Sequence, residues 1–105
     1  MARKTKPNVP DHIVIGGHTI PVVFGDVDGD DWGEFKSEPM RIDLNARRHT
    51  EHPDLLDSTL FHEAWHAAAE ISGLTEILTG KQEEAIAKCL ERLMWPLLQW
   101  RGSGE

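Results

Sequence analysis

The segment Leu60-Phe61-His62-Glu63-Ala64-Trp65-His66-Ala67-Ala68, with Ile71 beyond it, sets two histidines and a glutamate into a run that is otherwise apolar. At helical periodicity such a run is hydrophobic on nearly every side, so it is expected to pack inside the domain. Buried polar groups without partners cost about 1–3 kcal/mol each, so three of them in one helix call for a partner. Residues four apart share a helix face with Cβ atoms about 5–6 Å apart, which lets His62 and His66 bind one ion. The competing reading, in which they are satisfied structural or solvated histidines, fits the apolar surroundings less well.

His62-Glu63-Ala64-Trp65-His66 has the HExxH form, the zinc signature of metalloproteases. Glu63 follows the first ligand and is placed to take a proton from a water beside the metal, then deliver it to a leaving amine. A catalytic zinc has three protein ligands and an open fourth position. The extended HExxHxxGxxH form is excluded, because Ala69 and Ser72 stand where its glycine and third histidine belong. The third ligand is therefore sought in the paired glutamates Glu83 and Glu84. Glu83 shares a helical face with Ile86 and Leu90, while Glu84 falls roughly 100° further round among Lys88 and Glu91. This places Glu83 as the third ligand; the alternative for it is an ordinary carboxylate favoured by a helix N-terminus.

The flanking sequence predicts an α+β domain: a small N-terminal antiparallel or mixed sheet of three to four strands, followed by two packed helices. Residues 1–11 read as a flexible arm, 12–100 as one domain and 101–105 as a flexible tail. His12–Ile15 and His18–Phe24 form two strands about the Gly16-Gly17 turn, and Pro21 points to an edge or a bulge. Gly25–Gly33 (GDVDGDDWG) is turn chemistry and reads as an acidic hairpin loop. Counted from Asp26, the twelve-residue calcium-loop pattern requires Gly and Glu where Asp31 and Ser37 stand. Further strands are expected over Trp32–Lys36 and Met40–Leu44, then a polar connection from Asn45 to Pro53. The first helix begins between Pro53 and Ser58 and runs to about Ser72, where Gly73 stops it. The second opens at Thr79, with Gln82 completing a capping box, and continues to about Gln99. Ile86, Cys89, Leu90, Leu93 and Leu97 are its expected apolar face.

Composition narrows the function classes. The chain has 105 residues, enough for one core, and a formal charge of −7 from 18 acidic against 11 basic residues. That sign argues against a phosphate-tracking surface, so no nucleic-acid partner is expected; Arg3, Lys4 and Lys6 read as a solvated tail. A single cysteine, Cys89, excludes an internal disulfide framework and fits a reducing, cytoplasmic setting. No segment has the length of a membrane span and no signal peptide is recognised.

Over roughly residues 40–99 the chain resembles the minimal gluzincin peptidases, and among them the phage- and mobile-element-encoded ImmA/IrrE-like metallopeptidases. The resemblance is carried by Thr59-Leu60-Phe61-His62-Glu63-Ala64-Trp65-His66-Ala67 and by Glu83 to Pro96, whose glutamate, apolar pair and proline match the family's second helix in offset. It implies a zincin-like fold, zinc held by His62, His66 and Glu83, and Glu63 as general base. It also implies hydrolysis of a peptide bond in a narrow protein or peptide substrate, with regulatory proteins such as repressors the family's kind of target. Two departures stand out. Ala87 replaces the family's asparagine, leaving Glu70, Asp43 or Asn45 to orient the histidines. The chain has no tyrosine, so His49, His52, Arg47 or Arg48 are the candidates to stabilise an oxyanion. A strand edge, with Met40–Leu44 the candidate, is expected to receive an extended substrate. The alternative function is a non-catalytic, zinc-stabilised protein-interaction module with Trp95 and Trp100 as aromatic anchors.

Overall fold

Gly16 and Gly17 lie at φ 54° and 80°, both in the left-handed region that a tight two-residue hairpin turn requires. They join β1 (His12–Ile15) to β2 (His18–Gly25) in antiparallel register, with Ile15 opposite His18 and His12 opposite Pro21. The computed structural model describes residues 8–27 and 29–97. The expected tail at 101–105 and most of the expected arm lie outside these residues, as do Arg3, Lys4, Lys6 and Trp100. The described end of the arm is docked rather than free. Val9 packs against the core, and the Asp11 carbonyl accepts the Val22 N–H at 3.0 Å.

Two more strands, β3 (Gly33–Ser37) and β4 (Met40–Asn45), complete a mixed sheet in the order β1-β2-β4-β3. β4 pairs parallel with β2 and antiparallel with β3, so it is central, and its last four residues are buried. The edge expected at Met40–Leu44 is thus not an edge; the free edge on that side belongs to β3. Pro21 is not on an edge strand either. It sits where β2 exchanges partners, since the register with β1 ends at Pro21 and the register with β4 begins at Val22. A residue without an N–H suits that junction.

The segment expected to be a polar connection contains a short helix, α1 (Ala46–Glu51). Its cap is Asn45, whose side-chain oxygen accepts the Arg48 N–H at 3.1 Å. The long helix α2 (Leu56–Ser72) follows a 3₁₀ turn at Pro53–Leu55 and ends at Gly73, φ 87°. The third helix, α3 (Gly80–Cys89), opens on the expected capping box between Thr79 and Gln82. It runs on through a π turn at Leu90–Met94 to residue 97; the expected end at Gln99 lies outside the described residues.

Ile20, Val22, Ile42 and Leu44 form one face of the sheet and bury against Leu56 and Ala67 of α2. On the other side of α2 lies α3, held by Ala87, which is fully buried, by the stacked rings of Phe61 and Trp95 at 5.1 Å, and by the Trp65 indole N–H donating to the Glu83 carbonyl at 3.2 Å. Trp95 therefore packs within the fold. The apolar face expected for this helix is not the packed one: Leu93 and Leu97 are 66% and 58% exposed, and Ile86 and Cys89 are also exposed. The packed face is centred on Ala87, whose small side chain lets the two backbones approach.

Candidate metal centre

His62 and His66 stand one turn apart on the side of α2 that faces α3, with ring centroids 5.1 Å apart. From α3, Glu84 reaches between them: its carboxylate lies 3.1 Å from His66 Nε2 and 3.4 Å from His62 Nε2. These two imidazole nitrogens and one carboxylate oxygen are within 4.8 Å of one another, and the three residues could hold a metal ion. The far side of each ring is occupied as well. His66 Nδ1–H donates to Glu83 at 2.6 Å, and His62 Nδ1–H donates to Glu91 at 2.7 Å. A carboxylate on Nδ1 fixes ring orientation and tautomer, leaves the Nε2 lone pair for an ion and raises its basicity. The chemistry of this donor set suits a divalent cation.

The place expected for Glu83 is therefore taken by Glu84, while Glu83 orients His66 from behind. The reason is helical phase. Ile86 and Leu90 set the expected inward face, yet Ala87 is the residue of α3 that is fully buried. Rotating the face onto Ala87 brings Glu83 and Glu84 round together, one to each side of the His66 ring. Glu91 was missed by sequence reasoning. Its signal is its position, one turn beyond Ala87 on the same face, and it lies inside the π turn, a local widening of the helix frequent at functional sites.

Glu63 projects to another side of α2, toward the sheet, and is only 7% exposed. Burial raises its carboxyl above the ordinary range; the adjacent His62 and His66 oppose that shift, and Glu84 and Glu34 add to it. Gly33, the first residue of β3, makes the close approach possible. A Cβ there would stand 3.1 Å from Thr59 Cγ2, 3.2 Å from the Asp43 carbonyl and 3.3 Å from Glu63 Cγ. Glu63, His62, His66 and Glu84 all open into one cleft of about 550 Å³ between the edge strand β3, α2 and α3.

The other candidates fall elsewhere. Asp43 is engaged by Arg41 at 2.8 Å and Lys36 at 3.8 Å, and Asn45 caps α1 and donates to the Asp31 carbonyl. Glu70 lines the cleft, whereas the histidines are oriented by Glu83 and Glu91. His49 is fully buried, and its Nε2–H donates to the Trp32 carbonyl at 3.2 Å. Burial lowers its pKa below the ordinary 6.5, its backbone contacts to Trp32 and His52 oppose this, and the charges of Arg48 and His52 reinforce it. Arg48 lies over the Trp32 ring, 4.6 Å from its centroid, and His52 packs edge-on against it. Arg47 pairs with Asp30 of the acidic loop at 3.0 Å. None of His49, His52, Arg47 and Arg48 lines the cleft; together they clamp the acidic loop to α1.

Comparison with protein-family models, curated proteins and solved structures finds no match to this chain. Among the described residues no helix is long and apolar enough to cross a membrane.

Proposed function

We propose that this protein is a zinc-dependent peptidase of the gluzincin type, hydrolysing a peptide bond in a narrow protein or peptide substrate. The observation that carries the reading is Glu63: a nearly buried carboxylate with a raised pKa, opening into the same cleft as His62, His66 and Glu84. His62, His66 and Glu84 would hold the zinc, which when bound would supply Lewis acidity toward a water and a carbonyl oxygen. Glu63 accepts the proton of the attacking water and passes it to the departing amine nitrogen. Glu83 and Glu91 hold the two imidazoles in position. The β3 edge offers unpaired backbone N–H and C=O groups to an extended chain laid along the cleft. Elemental analysis of the purified protein, with peptide hydrolysis by the wild type and by Glu63→Gln, tests the reading. Bound zinc in both and hydrolysis in the wild type alone is the expected result; equal activity in the variant would overturn it.

A non-catalytic, zinc-stabilised interaction module is the second reading, favoured by the apolar residues that α3 leaves uncovered at Ile86, Leu93, Met94 and Leu97. It predicts zinc and a stable fold with no hydrolysis by the wild type.

A further inference from the structure

The cleft is far more acidic than its metal centre requires. Beyond Glu63, Glu83, Glu84 and Glu91, it is lined by Asp31, Glu34 and Glu70, and among the described residues no lysine or arginine lines it. Outside the cleft, Asp30 is paired with Arg47, and Asp43 with Arg41 and Lys36. The carboxylates of Glu34 and Glu70 have no hydrogen bond or ion pair among the described residues. A second observation points into the same space. Glu63 is 7% exposed, has no hydrogen-bond or ion-pair partner among the described residues, and lines the cleft. A divalent ion with neutral imidazoles offsets only two of these negative charges, and low-dielectric walls concentrate the field of the rest.

We propose, resting on the peptidase reading, that the cleft selects extended segments carrying lysine or arginine next to the bond presented to Glu63. The segment lies along the free edge of β3. Glu34, on that strand, and Glu70, one turn beyond His66 on α2, receive the basic side chains. Arginine gains most, because its planar guanidinium pairs with a carboxylate through two parallel hydrogen bonds. An acidic segment meets like charge on each wall and is rejected, which gives specificity beyond what shape supplies.

The test uses the full chain loaded with zinc and three matched sets of synthetic peptides, with basic, neutral or acidic residues flanking a central bond. Hydrolysis is followed with the wild type, and binding with Glu63→Gln, by fluorescence anisotropy at low and at physiological salt. The expected result is preferred cleavage and binding of the basic set, with binding weakened by salt. Replacing Glu34 and Glu70 together by glutamine should narrow the basic-to-neutral ratio about tenfold. Cleavage without regard to charge overturns the inference and leaves the peptidase reading standing. Salt-sensitive binding of the basic set with no cleavage by the wild type overturns the peptidase reading and keeps the ligand preference. Neither binding nor cleavage overturns both.

Discussion

Glu91 meets Nδ1 of His62 at 2.7 Å from within the π turn of α3, two turns after Glu84 approaches the same ring at Nε2. His66 is treated alike, with Glu83 behind it and Glu84 in front. Each imidazole is thus gripped from both sides by carboxylates of a single helix. Only the inner one, Glu84, is shared between the two rings, and it is the one that could hold an ion together with both histidines.

Metal affinity should follow this division. Glu84→Ala removes a ligand and is expected to weaken zinc binding most. Glu83→Ala and Glu91→Ala, which release a ring but leave the donor set, should each cost about 10- to 100-fold. Competition titration against a chromophoric chelator ranks the three; a larger loss for Glu83→Ala than for Glu84→Ala would return Glu83 to the ligand position.

Stripping the ion should loosen α3 from α2, since four of the contacts between them pass through the histidines. Zinc at about a hundred times its dissociation constant contributes roughly 2.7 kcal/mol of stability. For a domain of this size that corresponds to a rise in Tm of roughly 10–20 °C. Thermal unfolding with and without a chelator measures it, and coincident transitions would show that the ion does not join the helices.

Gly33→Ala should harm both fold and site. Its new methyl group would meet Thr59, Glu63 and the Asp43 backbone at 3.1–3.3 Å, and overpacking of this kind costs about 1–3 kcal/mol. Denaturant unfolding reads the stability, and the pH profile of hydrolysis reads the displacement of Glu63. A variant as stable as the wild type with an unchanged profile would contradict the close approach.

His49 should make the fold sensitive to mild acid. Its folded pKa lies below 6.5 while the unfolded chain titrates at about 6.5. Between those values the unfolded state binds more protons, so the contribution of His49 is complete above 6.5 and is lost as pH falls through the folded value. Unfolding free energy of the metal-free protein, measured from neutral pH downward, should fall less steeply for His49→Gln than for wild type. Parallel slopes would remove His49 from this role.

Much of the architecture was legible because local rules speak for themselves. The Gly16-Gly17 turn, the Gly73 stop and the Thr79–Gln82 capping box all stand where short-range chemistry places them. The α1 helix was missed although Asn45, a good cap, announced it; the polar composition of 46–52 concealed it. Central and edge strands could not be told apart, since β4 alternates apolar and polar residues like a half-exposed strand. Asp43 nevertheless sits buried there, engaged by Arg41 and Lys36.

The sequence by itself determined the pair His62 and His66, because a four-residue spacing on one helix needs no other part of the chain to bring two rings together. It also determined that Glu63 lies on a different side of that helix. Which glutamate lies between the two rings was decided only by the tertiary structure. A helix carries its side chains in every direction, and its rotation about its own axis is set by how it packs, here by Ala87 against α2. A rotation of roughly 100° separates neighbouring residues, enough to exchange the roles of Glu83 and Glu84 without altering a letter of the sequence.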